Sequence, residues 1–188
     1  MLLMILIAIL VVALLYAASL YNRLVGVKHA VAKAWANIDV LLKQRHDELP
    51  KLIEVCKQYS QFEQKTLQQV IQARNAVQSA REAQDIPALG KAEGVLRASV
   101  GGLFALAEAY PELRSNEQYM QLQNRMSVLE NAIADRRELY NEAVNINNIQ
   151  IEVFPASIIA GMFHFESKSL LAFTAEETQD VDVKKLFS

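Results

Sequence analysis

The side chains that could do chemistry are thinly spread along this sequence. A metal site carried on a helix wants two histidines four residues apart with a carboxylate beside them. His29, His46 and His164 are far from that spacing, and each reads as a surface or half-buried structural residue. Cys56 falls on the apolar face of a helical pattern, where a thiol behaves as a small hydrophobe rather than as a nucleophile. There is no Gly-x-Ser-x-Gly elbow and no phosphate-binding glycine loop. The Gly101-Gly102 pair lies inside a helical pattern, where close helix packing is the common explanation. On this reading the chain has no catalytic residue, no cofactor-binding residue and no metal ligand, and no cofactor is implied.

Charges on apolar stripes are the more informative residues. Arg136 lies on the stripe of the third helix read below, and Arg45 is placed in the same way on the first. Each is expected to meet a carboxylate such as Glu63, Glu108 or Glu130. The simple reading is a structural ion pair that fixes helix register, and the alternative is a binding pocket built around the charges. Asn141, Asn145, Asn147 and Asn148 favour a polar surface or interhelical hydrogen bonds over a ligand site.

The elements that would position these residues begin with an apolar segment. Met1 to Leu15 is an unbroken apolar run, and no charge precedes Arg23. At about 1.5 Å per residue, a helix from Met1 to Leu20 covers roughly 30 Å, the thickness of a bilayer's hydrocarbon core. Each central Leu, Ile or Val favours insertion by roughly 0.3 to 0.6 kcal/mol, which sums to several kcal/mol over the segment. A cleaved signal peptide would show a basic leading region and a shorter apolar stretch. The basic region is missing, so Ala17-Ala18-Ser19 is not read as a cleavage site and the segment is read as a retained anchor. Arg23, Lys28 and Lys33 all follow it, which by the positive-inside rule places the body in the cytoplasm and the N-terminus outside. The single cysteine agrees, since an exported body of this size often carries disulfides.

Nineteen Lys and Arg stand against 21 Asp and Glu, for a net charge of −2, with the two signs interspersed. No basic stripe is visible, which argues against nucleic acid as a partner. Trp35, Ile38, Leu42, Leu49, Ile53, Cys56, Tyr59, Phe62, Leu67, Val70, Ala73 and Val77 mostly step by three or four, the mark of one buried helical face. Pro50 should kink or break this first helix, and Gln84-Asp85-Ile86-Pro87 separates it from the next. A second helix reads from Ala88 to Ala109, with Leu96, Val100, Leu103 and Phe104 facing inward, and Tyr110-Pro111 ends it. Ser115 with Gln118 has the form of a capping box. The third helix that it opens carries Tyr119, Leu122, Met126, Ile133, Tyr140 and Val144 inward as far as Phe154-Pro155. Ile158 to Phe165 should pack back on the bundle, and Thr174 to Lys185 reads as a polar, mobile tail.

Several of these segments together resemble the LemA family. They are Ala34-Trp35-Ala36-Asn37-Ile38-Asp39-Val40, Leu49-Pro50, Ala107-Glu108-Ala109-Tyr110-Pro111-Glu112-Leu113, Glu130-Asn131 with Ile133-Ala134, Tyr140-Asn141 and Phe154-Pro155. They recur in family order from Tyr21 to Phe165. The resemblance implies a bacterial membrane protein with a short external N-terminus, one transmembrane helix and an antiparallel helical bundle in the cytoplasm. It implies no known activity. Two departures bear on local packing: Asn147-Asn148 stands where the family often has Tyr-Asn, and Phe163-His164-Phe165 where it has Phe-Gly-Phe.

The expectation is therefore an all-α protein whose N-terminal transmembrane helix continues into an antiparallel bundle of long helices. Residues 1–21 form the anchor, 22–173 the bundle and 174–188 the polar tail. The functional reading is a non-enzymatic scaffold or interaction protein of the bacterial inner membrane. It meets the lipid bilayer through Met1 to Leu20, associates with copies of itself with a contribution from the anchor, and binds no nucleic acid. The alternative is a sensor or adaptor for a membrane enzyme; here the resemblance points to an HtpX-like zinc metalloprotease.

Overall fold

A computed structural model describes residues 1–59 and 63–172, and the tail expected at 174–188 lies outside the described residues. Among the described residues there are six helices and no strand: α1 Leu2–Lys57, α2 Gln64–Glu82, α3 Ile86–Ala107, α4 Pro111–Arg114, α5 Glu117–Glu152 and α6 Ala156–Met162. The all-α expectation holds, with a long apolar helix followed by packed helices. The chain divides into two compact units. One is Met1–Val40 with Ala134–Leu170, and the other is Leu41–Ile133 with, among the described residues, Leu171 and Ala172.

In the first unit, α1 begins as an isolated apolar rod. Every large apolar residue from Leu2 to Tyr16 is 48 % or more exposed, and an 18-residue window of the helix has a mean hydropathy of 2.9 with none of it buried. The helix is long and apolar enough to cross a membrane. Burial starts at Leu24 and recurs at Val31 and Ile38, seven residues apart each time. The facing helix, α5, buries Tyr140, Val144 and Asn147, where Tyr140 and Asn147 are again seven apart. A seven-residue period keeps a narrow seam turned toward its partner. Trp35 meets Tyr140 edge-on, with ring centroids 5.8 Å apart. It is half-buried, because a seam between two helices covers only a narrow stripe. The same narrowness overturns the placement of Arg136, which is exposed. The segment expected to pack back does so: Tyr21 lies 4.7 Å from Phe163 and 6.0 Å from Phe165, centroid to centroid.

In the second unit, α1 runs on through Pro50 without a break, ending at Lys57. A proline here cannot donate to the carbonyl of His46 four residues back, a loss worth about 3 kcal/mol in a helix interior. The Arg74 guanidinium on α2 supplies the missing donor, with Nε 3.0 Å from the His46 carbonyl oxygen. The interruption comes instead after Lys57, before α2 starts at Gln64. The long first helix of the sequence reading is therefore two helices. Its warning was a step of five, Phe62 to Leu67, after a run from Leu49 that steps by three or four.

The remaining boundaries have local causes. α2 stops where Gln84 takes a left-handed backbone with φ 54°, and the Asp85 carboxylate accepts from the Ala88 amide at 2.9 Å to cap α3. The capping box at Ser115 is corrected by one residue. Asn116 caps α5, its Oδ1 accepting from the Tyr119 amide at 3.0 Å, while Ser115 Oγ donates back to the Glu112 carbonyl. α5 ends at Glu152, two residues before the expected stop. The close-packing glycine is also not where the sequence suggested. A Cβ on Gly101 or Gly102 would meet nothing within 4 Å, and Gly102 lines an open groove between α2 and α3. A Cβ on Gly90 would collide with the Ala172 carbonyl.

Candidate functional site

The most unusual chemistry in the second unit is a buried charge cluster at the meeting of α1, α3 and α5. Arg45 continues the α1 period between buried Ile38 and Leu52, so the fold carries it into the core. Glu93 sits between buried Leu89 and Leu96 on α3, and Glu130 between buried Met126 and Ile133 on α5. The two guanidinium nitrogens divide the carboxylates: Nη1 donates to Glu130 Oε1 at 2.7 Å, and Nη2 donates to Glu93 Oε2. Side-chain exposures are 2 % for Arg45, 1 % for Glu93 and 23 % for Glu130, so the cluster is closed except at Glu130.

Burial works against the Arg45 charge, but Glu93 and Glu130 outweigh it and hold the guanidinium above its ordinary pKa. Burial pushes the Glu93 carboxyl above its ordinary value, and Arg45 pulls it only part of the way back. Glu93 Oε1 has no hydrogen-bond partner. Beside the cluster, Glu48 Oε1 accepts from Lys51 and from Arg125, both at 3.1 Å, on the wall of a groove shared by α1 and α5. Three helices are thus tied together by charges that pair with one another, an arrangement that specifies register.

The expected pairing of Arg45 with Glu130 is present, and Glu93 is the partner that the sequence reading passed over. Its signal was available, since Glu93 falls four residues after Leu89 and three before Leu96 on an apolar stripe. The other proposed partners are elsewhere. Glu63 is exposed and accepts from Thr66 Oγ1 at 3.2 Å, and Glu108 is exposed. Cys56 is fully buried, and burial pushes its thiol up to about 12, which keeps it protonated. Tyr119 is likewise pushed up to about 12, first by burial. His29 and His164 are exposed, and His46 is half-buried with Nε2 2.5 Å from Arg74 Nη2. Among the described residues, no group of three or more His, Cys, Asp or Glu side chains is arranged to hold a metal ion.

The first unit carries a second feature, a groove of about 370 Å³ between Tyr21, Val25, Lys28 and His29 of α1, Asn147 of α5 and the segment from Phe163 to Lys168. Buried Asn147 donates to the Glu166 carbonyl at 3.3 Å. Asn148 brackets Lys168, donating to its carbonyl and accepting from its amide, both at 2.9 Å. These asparagines therefore bond to an extended segment rather than across a helix pair. His164, at the bend of that segment, has φ 55°, a left-handed conformation that favours glycine.

The sequence profile of the LemA family matches residues 34–184, a stretch that contains Arg45, Glu93, Glu130 and Asn147. The chain belongs to the LemA family. Protein LemA of Metamycoplasma hominis is 24% identical over 165 residues, which are 88% of this chain and 74% of that relative. Magnetosome proteins MamQ 1 and MamQ 2 of Paramagnetospirillum magneticum are each 34% identical over 79 residues, 42% of this chain. The matched stretch spans only 29% of the length of those two proteins. The left-handed backbone at His164 gives a physical reason for the glycine that the LemA resemblance leads one to expect at that position.

Proposed function

We propose that this LemA-family chain is a membrane-anchored, non-enzymatic helical scaffold that works by binding other proteins, including copies of itself. Residues 1–21 are the anchor and 22–173 the working body. The observation that carries the reading is the all-round exposure of the apolar rod Leu2–Tyr16 on a helix that runs without interruption into a packed helical body. Such a surface is stable in lipid and unstable in water. The charges that follow it, Arg23, Lys28 and Lys33, favour an external N-terminus and a body in the cytoplasm of the bacterial cell. The non-enzymatic part is supported by where the perturbed groups lie. Arg45, Glu93, Cys56 and Tyr119 are buried side chains, and for each of them, as for half-buried His46, burial is the largest cause acting on the charge.

Confinement to a bilayer raises the effective concentration of a lateral contact. Ala13 and Ala17, small residues four apart, permit close approach of two anchors on one face. The test is cross-linking of the full-length protein in its native membrane, with mass analysis of the products and of the protein in nanodiscs. Self-linked oligomers that are weakened by A13I/A17I support the reading. A monomer at every concentration, in nanodiscs and in mild detergent alike, removes the self-association. An HtpX-like protease as the principal linked product would make the chain an adaptor instead. External protease should leave the body of intact spheroplasts uncut, and digestion would reverse the orientation.

A further inference from the structure

We propose that the corner between α5 and α6 is a second membrane contact, with Phe154, Ile158, Met162 and Phe163 entering the boundary between headgroups and acyl chains beside α1. The inference rests on the anchor reading above. Its first support is level. Trp35 lies against Tyr140, and Val25, Lys28 and His29 share a groove with Asn147, so α5 runs antiparallel to α1 in a fixed register. Both helices rise equally per residue. Glu152, twelve residues beyond Tyr140, therefore lies level with Arg23, twelve before Trp35, and Phe154 lies level with Tyr21. Tyr21 is the last residue of the apolar segment's end and itself touches Phe163. The corner is thus held at the height where the anchor leaves the bilayer.

The second support is the face that the corner presents. Ala156 and Ala160 of α6 are buried; Phe154 stands just before the helix, and Ile158 and Met162, four apart, lie half a turn from the buried pair. Phe154, Ile158 and Met162 are 79 %, 56 % and 65 % exposed, and Phe163 beside them is 53 % exposed. Ile146 and Ile149 on the last turns of α5, and Val153 just past its end, are also exposed and lead into the corner. Large apolar side chains gathered at one end of a body, on the side facing a bilayer, are what an interfacial element needs. Aromatic side chains at the membrane boundary are the residue type that favours this depth, and Tyr16 and Tyr21 flank it on α1. The surface is continuous with the exposed apolar rod of α1, which makes lipid the occupant that it fits.

The test uses the full chain in nanodiscs with lipids brominated either high or deep on the acyl chain. In a W35F background, F154W or I158W places a single indole at the corner, and L10W places one at the middle of the anchor. The expected result is strong quenching of the corner indole by the shallow bromines and weaker quenching by the deep ones, with the reverse order for L10W. A corner indole that stays unquenched in both variants while L10W is quenched overturns the inference and leaves the anchor in place. If its emission also shifts to the blue as the protein-to-lipid ratio rises, a second copy covers the face instead. An unquenched indole at position 10 overturns the anchor reading and this inference together.

Discussion

Replacing Arg45 by methionine strands two carboxylates in the core of the second unit, and Glu93 is the one that cannot escape. Glu130, at 23 % exposure, can turn toward water, whereas Glu93 is 1 % exposed. Removing one partner of a buried ion pair costs about 3–5 kcal/mol, because the remaining charge loses its partner without regaining its hydration. Glu93 avoids that state by taking up a proton. Burial already holds its pKa above the ordinary 4.5 and Arg45 restrains it; without Arg45 only the burial and the repulsion of Glu130 remain, so it climbs further. A carboxyl whose folded pKa exceeds its unfolded value contributes stability below the unfolded pKa and loses it as pH rises through the folded one. R45M should therefore be penalised most at high pH, with a slope that reaches about 1.4 kcal/mol per pH unit between the two values.

The double variant R45M/E93M removes both buried charges, abolishes that slope and recovers most of the loss, as apolar replacement of buried ion pairs does elsewhere. The assay is urea unfolding of the full-length protein in mild detergent, followed by far-ultraviolet circular dichroism from pH 5 to pH 8, for wild type, both single variants and the double. The reasoning fails if R45M lies within about 0.5 kcal/mol of wild type at pH 8, the range of an ordinary surface change. It also fails if the R45M penalty is the same at both ends of the pH range.

R74M should cost about 1–3 kcal/mol by leaving the His46 carbonyl without a donor, and clearly less in a P50A background, where the restored backbone amide takes over; equal costs in both backgrounds, by the same unfolding assay, would remove Arg74 from this role. His46 is held below its ordinary 6.5 by burial first and by Arg74 second, so its contribution is complete above that value and is lost as pH falls through the folded pKa; wild-type unfolding midpoints should drop toward pH 5 and those of H46Q should drop less. H164G should raise stability by about 0.5–1 kcal/mol, since it relieves a left-handed backbone at the cost of a looser unfolded chain. G90A should destabilise by about 1–3 kcal/mol through the Ala172 carbonyl, while G101A, a gain in helix propensity with open space, should stabilise by up to about 1 kcal/mol; thermal midpoints separate the two.

What was legible in the sequence follows from what each feature depends on. The apolar N-terminal segment, the long α5 and the break at Gln84 to Pro87 are set by composition and period within a few turns, and these were readable. The continuity of α1 through Pro50 depends on Arg74, which stands on another helix and reaches the one carbonyl that proline vacates. No local pattern contains that fact. The turn after Lys57 carries neither glycine nor proline, and its trace was a single slip in the apolar spacing. Arg136 and Arg45 look alike on a helical wheel. They part because Arg45 is enclosed by α3 and α5 in a unit of several helices, whereas Arg136 stands on α5 in a unit where a two-helix seam covers only a narrow stripe.

That contrast bears on the candidate site itself. A buried arginine is tolerated only where other elements bring carboxylates to it, so Arg45 is informative about α3 and α5 rather than about α1. Glu93 and Glu130 are each placed by buried apolar neighbours four residues before and three after, and Arg45 by Leu42 three before and Leu49 four after. Three independent stripes each give up one apolar position to a charge, and the charges meet. Ordinary core packing would be cheaper with leucine at all three positions, while a charged triad penalises a slip of any one helix by leaving an unpaired group in the core. The cluster therefore makes sense as a register lock in a body whose long helices would otherwise slide along repeating apolar seams.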